Sequence, residues 1–402
     1  MSLIPGDLVE PDYGGCCLTG IADSVRGLFG RPARNPLPAG LLPAGGFDCV
    51  VQVTLDALGW EQLMAHQAAS PVVARVLARG QVSTITSVLP STTTTALTSL
   101  FTGLAPQEHG MLAHSLYLRE LGMLVDLLRF HPAMLPGHRG ILAGGTEPRA
   151  FFAVRPLFTD LAEAGIAAHA LMRRELIGTP LSQIHLAGAQ ATGVVAASDL
   201  CVSLRRLVET QPRPLFISAY WDAIDAIAHV HGPGSAEEGA EVSAFFTLFE
   251  GEFLDRLGPA ARRGTLVLLT ADHGQATVEE AQALKLDEHP DLADALLLPP
   301  ADRRTTYLHV RREALDAVRG ILARFPERFH VLETDAALRG GLFGGGTPHP
   351  EARVRMGDLV VLSRGRASIV GHEKERPPHP LPGRHGGATP AEMLVPLVAF
   401  TL

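Results

Sequence analysis

The chain repeats one pattern that narrows its fold sharply: continuous apolar runs, each too short for a buried helix, alternate with amphipathic stretches. "DCVVQVTLDALG" (Asp48 to Gly59) is apolar through Leu55 and then meets Asp56. A strand buried on both faces reads this way, because it has no solvent side to alternate with. "WEQLMAHQAASPVVARVLARG" reads as helix and "QVSTITSVLP" as strand. "FFAVRPLFTDLAEAG" reads as helix, "IAAHALM" as strand, "SDLCVSLRRLVET" as helix and "PLFISAYW" as strand. "EVSAFFTLFEGEFLDRLG" then gives a helix and "GTLVLLTADHG" a strand. Such alternation predicts an α/β fold: a doubly wound, mostly parallel sheet with helices on both faces. At 402 residues the chain can hold a large core and a further unit.

After Gly274 the pattern changes. "RTTYLHV", "EALDAVRGILARF", "FHVLET" and "DLVVLSRG" read as strand, helix, strand, strand. The Pro- and His-rich "EKERPPHPLPGRHGG" then leads back to "EMLVPLVAFTL". These shifts predict a core of residues 1–275 together with 383–402, and an inserted smaller α+β cap over 276–382. Residues 1–46, rich in Pro and Gly, read as a surface lead-in to that core.

The net charge of −8 argues against a nucleic acid polymer as partner, since phosphate-backbone binding needs a basic surface. It leaves room for a small phosphorylated substrate held by metal ions. No basic n-region with an apolar stretch opens the chain, and no apolar run is long enough to span a bilayer. Cys16, Cys17, Cys49 and Cys201 show neither a CxxC nor a disulfide spacing, which fits a reduced cytoplasmic protein. No membrane association is expected, and oligomeric state is left open.

Polar groups gather where a parallel sheet carries function, just past the carboxyl ends of its strands. Asp56 ends the first strand. Thr92 to Thr95 follow the second. Asp222, Asp225, His229 and His231 follow "PLFISAYW", and Asp272 with His273 ends "GTLVLLT". Asp225 and His229 are four apart, so one helical turn places both on one face, a spacing that suits two ligands of one metal. Carboxylate with neutral imidazole suits zinc, with manganese as the alternative. "RHGG" adds His385 among glycines that allow close backbone approach. The threonine run opens a stretch with helical spacing (Leu97, Leu100, Phe101, Leu104), so its hydroxyls sit at a helix N-terminus. There they serve either as capping groups or, for one of them, as a nucleophile beside an anion-binding helix end.

Taken together, "TADHGQ", "YWDAIDAIAHVHGP", "PSTTTTALTSLFTGLAPQEHGM" and "GRHGG" resemble the alkaline phosphatase superfamily, and within it the type I phosphodiesterase/nucleotide pyrophosphatase family. The resemblance runs from Asp48 to Gly274 and resumes at Gly383. It implies two metal ions, usually zinc, and a threonine nucleophile. By that resemblance Asp56, Asp272 and His273 hold one metal with the nucleophile hydroxyl, and Asp225, His229 and His385 hold the other. Its register selects Thr93 as nucleophile, with the Thr94 N–H donating to a phosphate oxygen. It implies hydrolysis of phosphodiester or pyrophosphate bonds of a small nucleotide-like substrate through a covalent threonine intermediate. A phosphomonoesterase, a phosphonate hydrolase, a phosphomutase or an inactive metal-binding homologue are the alternatives. The family's asparagine shortly after the threonine is absent, with Ala96 read at its position, and no sulfatase "CxPxR" motif occurs. Arg384 lies beside His385 and could reach a phosphate. His109 is expected to pin a loop. His114 and His231 are weaker candidates, and His349, His372 and His379 are not expected to bind metal.

Overall fold

The structure, a computed structural model, describes residues 2–134, 147–152, 154–371 and 381–402. His372 and His379 therefore lie outside the described residues.

Seven strands form the main sheet: β1 (Cys49–Leu55), β2 (Gln81–Thr86), β3 (Ala167–Arg173), β4 (Gln190–Val194), β5 (Leu215–Trp221), β6 (Thr265–Thr270) and β7 (Leu394–Thr401). Their order across the sheet is β2-β7-β6-β1-β5-β3-β4. All run the same way except β7, which is antiparallel to both neighbours. Every residue of β1, β5 and β6 is buried, as expected of strands covered on both faces. These three adjacent strands form the centre of the sheet. Their carboxyl ends bring residues far apart in sequence to one edge, with Leu55 in register with Trp221. The final strand runs backwards for a local reason. It begins at that same edge, straight after the helical turn Pro390–Met393, so it can only run away from it.

Helix α1 (Thr19–Leu28) corrects the reading of residues 1–46 as a surface lead-in. Thr19 to Arg26 are all buried, and Ile21, Ala22 and Val25 join the main core. α1 packs against α2 (Thr93–Thr102), the helix opened by the threonine run. Arg26 binds Asp23 at 2.7 Å and Asp160 at 2.8 Å, and it donates to the Thr102 carbonyl at 3.0 Å. The latter contact satisfies one of the last carbonyls of α2, where a cation also complements the helix dipole. The apolar spacing of α1 was present in the sequence but lay within a Pro/Gly-rich surround.

A second correction concerns "FFAVRPLFTDLAEAG". Its helix covers only Leu157–Glu163, because Pro156 takes the N-cap position, and Phe151 at its start belongs to a separate 3₁₀ turn, Pro148–Phe151.

Beyond Gly274, Leu359–Ser363 forms the middle of a three-stranded antiparallel sheet with Thr305–Leu308 and Phe329–Glu333. One face of this sheet packs with Leu284, Val318, Leu322 and Ile369 in a separate apolar cluster. Its other face, through Val360 and Leu362, shares a cluster with Met111, Leu116, Phe151 and Phe152. The small sheet Ser115–Leu118, Met123–Asp126, His131–Pro132 lies in that shared region. Among the described residues no helix is long and apolar enough to cross a membrane. None of the four cysteines is paired.

Candidate active site

Asp56 follows β1 at its carboxyl end, and the chain turns there through Ala57 at φ +61°, a left-handed conformation that costs a non-glycine residue about 1 kcal/mol. The turn aims the Ala57 N–H at Asp272 Oδ1, 3.2 Å away, while the His273 N–H donates to the same oxygen at 3.0 Å. Asp56 Oδ2 accepts from the Tyr220 hydroxyl of β5. Each carboxylate therefore has one oxygen held and one left over. Asp56 Oδ1 and Asp272 Oδ2 are buried and have no hydrogen-bond partner among the described residues. Both approach the same atom, His273 Nε2, at 3.5 and 3.4 Å.

Helix α3 (Ala223–His231) follows β5 and presents Asp225 and His229 one turn apart, with His229 Nε2 3.4 Å from Asp225 Oδ1. Gln275 donates to the Asp225 carboxylate and, at 3.1 Å, to its backbone carbonyl. His385 comes from the loop before β7. Its Nε2 lies 3.8 Å from Asp225 Oδ1, and its ring stacks on His273 with centroids 4.0 Å apart.

The three imidazoles share one arrangement. Nδ1 of His229 donates to the Gly383 carbonyl at 2.8 Å, that of His273 to Gly274 at 3.2 Å, and that of His385 to Ser91 at 3.3 Å. A carbonyl can only accept, so these bonds place the proton on Nδ1 and leave Nε2 with a lone pair facing the carboxylates. The backbone approaches closely to achieve this. A Cβ at Gly383 would lie 2.1 Å from the Ala228 carbonyl, and one at Gly274 would lie 2.1 Å from that of Ala391.

Thr93 is the first residue of α2, and its Oγ1 lies 3.1 Å from His273 Nε2. The other hydroxyls of the run are placed differently. Thr94 donates to the Ala113 carbonyl at 2.7 Å, the buried Thr95 hydroxyl has no partner among the described residues, and Thr92 is the N-cap. Thr92 makes no side-chain cap bond, so the first-turn N–H groups of α2 remain available at the site edge.

Electrostatics follow from this crowding. Burial, with the charges of Asp272 and Asp225 added, pushes Asp56 well above the usual carboxylate range. Burial also raises Asp272, against the opposing influence of His273. Carboxylates that converge underground need a cation to remain ionised. Two sets of three donors have their ligating atoms within 4.8 Å of one another: Asp56, Asp272 and His273; and Asp225, His273 and His385. His229 adjoins the second set. The orphaned carboxylate oxygens and the oriented Nε2 atoms fit divalent metal ions in chemistry and in aim.

All seven candidate residues thus meet at one edge of the sheet. Asp222 does not join them, being paired with Arg173 at 2.6 Å. His109 is fully buried and pins its loop, with Nε2 3.0 Å from Ser99 Oγ and Nδ1 accepting the Met111 N–H at 3.0 Å. His231 is half-exposed near Glu237, and His349 accepts the Glu351 N–H away from the cluster. Ala96, read at the position of the family's asparagine, sits in the main core beside Leu97 and Leu100. His114 lines the pocket beside His229 and His385. Tyr220 and Gln275 were not singled out in the sequence. Their signal was only positional, one beside a strand end and the other just after "ADHG".

A profile of the type I phosphodiesterase/nucleotide pyrophosphatase family matches residues 50–388, and the chain belongs to that family of phosphoester hydrolases in the alkaline phosphatase superfamily. No curated protein matches. Among solved structures, murine ectonucleotide pyrophosphatase/phosphodiesterase 5 is similar at 18% identity and TM-score 0.66, over 87% of each chain. The human protein of that name is similar at 16% identity and TM-score 0.67, also over 87% of each chain. Phosphonoacetate hydrolase from Sinorhizobium meliloti 1021 is similar at 19% identity and TM-score 0.63, over 89% of this chain and 92% of that one. At these identities the likeness is one of fold.

Proposed function

We propose that this protein is a two-metal phosphoesterase that cleaves phosphodiester or pyrophosphate bonds of a small, nucleotide-like substrate through a covalent intermediate on Thr93. One observation carries the reading: a single threonine hydroxyl faces His273 within a cluster of three carboxylates and three imidazoles. Asp56, Asp272 and His273, with Thr93, would hold one divalent ion, and Asp225, His229 and His385 the other. The donors suit zinc, with manganese the alternative. When bound, the ions supply positive charge that makes the hydroxyl more acidic and offsets charge on the phosphoryl oxygens.

The chain's own residues do the rest. Thr93 Oγ forms a bond to phosphorus while the bond to the departing oxygen breaks. The hydroxyl proton ends on the departing alcohol or phosphate. The first-turn N–H groups of α2, that of Thr94 among them, donate to the phosphoryl oxygens. Water then displaces threonine, restoring the hydroxyl and releasing the phosphate product. The murine relative was solved in an inactive form in complex with AMP, and the bacterial hydrolase with phosphonoacetate, which is in keeping with a small phosphorylated ligand. The unpaired cysteines are in keeping with a cytoplasmic location.

The test measures metal content of protein purified without chelator, and kcat/KM for bis(p-nitrophenyl) phosphate, p-nitrophenyl phosphate and a phosphonate. The reading predicts about two transition-metal ions per chain and the diester as best substrate. A preference for the monoester or phosphonate would transfer the assignment to that class, and absence of metal would overturn it.

A further inference from the structure

An open pocket beside the metal-binding cluster is lined by Thr92, His229 and His385 from the site, and by Arg303, Arg304 and Arg384. Three guanidinium groups here stand out in a chain of net charge −8 and beside a cluster of carboxylates. They are not equivalent. Arg304 is fully buried and committed: it grips Glu392 with Nε at 2.9 Å and Nη2 at 2.7 Å, and also donates to the Ala367 carbonyl. Arg384 has no ion pair or side-chain hydrogen bond among the described residues, and its Nε is buried without a partner. It directly precedes His385, so its guanidinium is tethered next to the reacting centre. Arg303 is lowered to about 10 by burial and then by the Arg384 charge, while Glu280 acts on it in the opposite sense. The acidic group in the pocket wall, Asp302, does not answer Arg384, since its oxygens accept the N–H groups of His114 at 2.8 Å and Ser115 at 3.2 Å. His114, the remaining titratable group of the wall, is turned to Asp126 at 3.3 Å.

We infer that Arg384 forms a subsite for a second anionic group, carboxylate or phosphoryl, on the substrate whose phosphorus meets Thr93. This rests on the proposed phosphoester reading and narrows its substrate class to compounds with two negative centres. A planar fork with an unused donor edge matches either oxyanion, as a lysine would not.

The test is calorimetric titration of the metal-loaded full chain, after removal of free metal, with three non-ester probes: phosphonoacetate, methylenediphosphonate and phosphonoacetamide, an isostere of the first whose second group is neutral. At least one of the two probes with a second anionic group should bind roughly tenfold or more tightly than the amide, the scale of a charge-assisted hydrogen bond. The probe that gains identifies carboxylate or phosphoryl as the second group. Arg384→Gln should remove most of that ratio, and Arg384→Lys should restore part of it. Equal affinity for all three probes, or an unchanged ratio in Arg384→Gln with an unchanged melting temperature, overturns the inference. Turnover of bis(p-nitrophenyl) phosphate by the same preparation reports separately on the phosphoester reading. Its absence with the probe preference intact would sink that reading and leave an anion site.

Discussion

Tyr220→Phe isolates what a single hydroxyl contributes to the metal cluster. The Tyr220 hydroxyl donates to Asp56 Oδ2, and both side chains are buried, so no water is at hand to replace it. The phenyl ring keeps the packing, and only the orientation of the carboxylate is released. A hydrogen bond to a charged acceptor contributes about 1.5–3 kcal/mol, or about 10–100-fold in an equilibrium constant. The same range is typical when a partner that orients a metal ligand is lost. Asp225, His229 and His385 are untouched, so only one of the two ions should bind more weakly. Competition with a chromophoric chelator, resolved into two steps, measures this directly. Equal weakening of both steps, or of neither, would refute the argument that Asp56 belongs to one ion and is held by Tyr220.

Three further outcomes are expected. Thr93→Ala should abolish turnover while elemental analysis still finds both metals, since Thr93 offers one donor among seven residues; retained activity in Thr93→Ala, with loss in Thr92→Ala, would show the wrong threonine had been chosen. Glu392→Ala should destabilise the fold by about 3–5 kcal/mol in chemical unfolding, because it strands the buried Arg304 and frees Gly387 and Thr389, which also bond to Glu392; a change within experimental error would contradict it. His185, buried against Thr98 at 2.8 Å, has its proton affinity lowered by burial to about 3. The unfolded chain therefore binds a proton that the folded chain refuses, and stability is lost as pH falls below about 6.5, at about 1.4 kcal/mol per pH unit. His185→Gln should flatten that part of the acid limb, and an unaltered slope between pH 6 and about 4 would count against the assignment.

How much of this was legible beforehand depended on whether a residue's role was local. Strands buried on both faces announce themselves as unbroken apolar runs, so β1, β5 and β6 and the acidic residues at their ends could be read directly. The Asp225–His229 pair was legible because helix geometry alone brings the two together. His385 stood out only as a histidine among glycines, and its place beside Asp225 and His229 followed from resemblance, since only the fold returns the chain to the same edge. Tyr220 was hidden because its value lies in pairing across to Asp56, and strand register is not written in either segment. α1 was hidden by the Pro and Gly around it, although Ile21, Ala22 and Val25 carry its buried face. A position counted along a helix says nothing about which side it faces, and Ala96 faces the core. The backward run of β7 follows from where the chain re-enters the sheet, which no local pattern records.

The central claim is that Thr93, among four consecutive threonines, takes the phosphoryl group. Acid quenching of the metal-loaded protein during turnover of a phosphodiester, followed by mass spectrometric mapping of the Leu89–Gly103 region, tests it most directly. The account predicts the added phosphoryl ester on Thr93. Modification of Thr92, Thr94 or Thr95 in its place would contradict it.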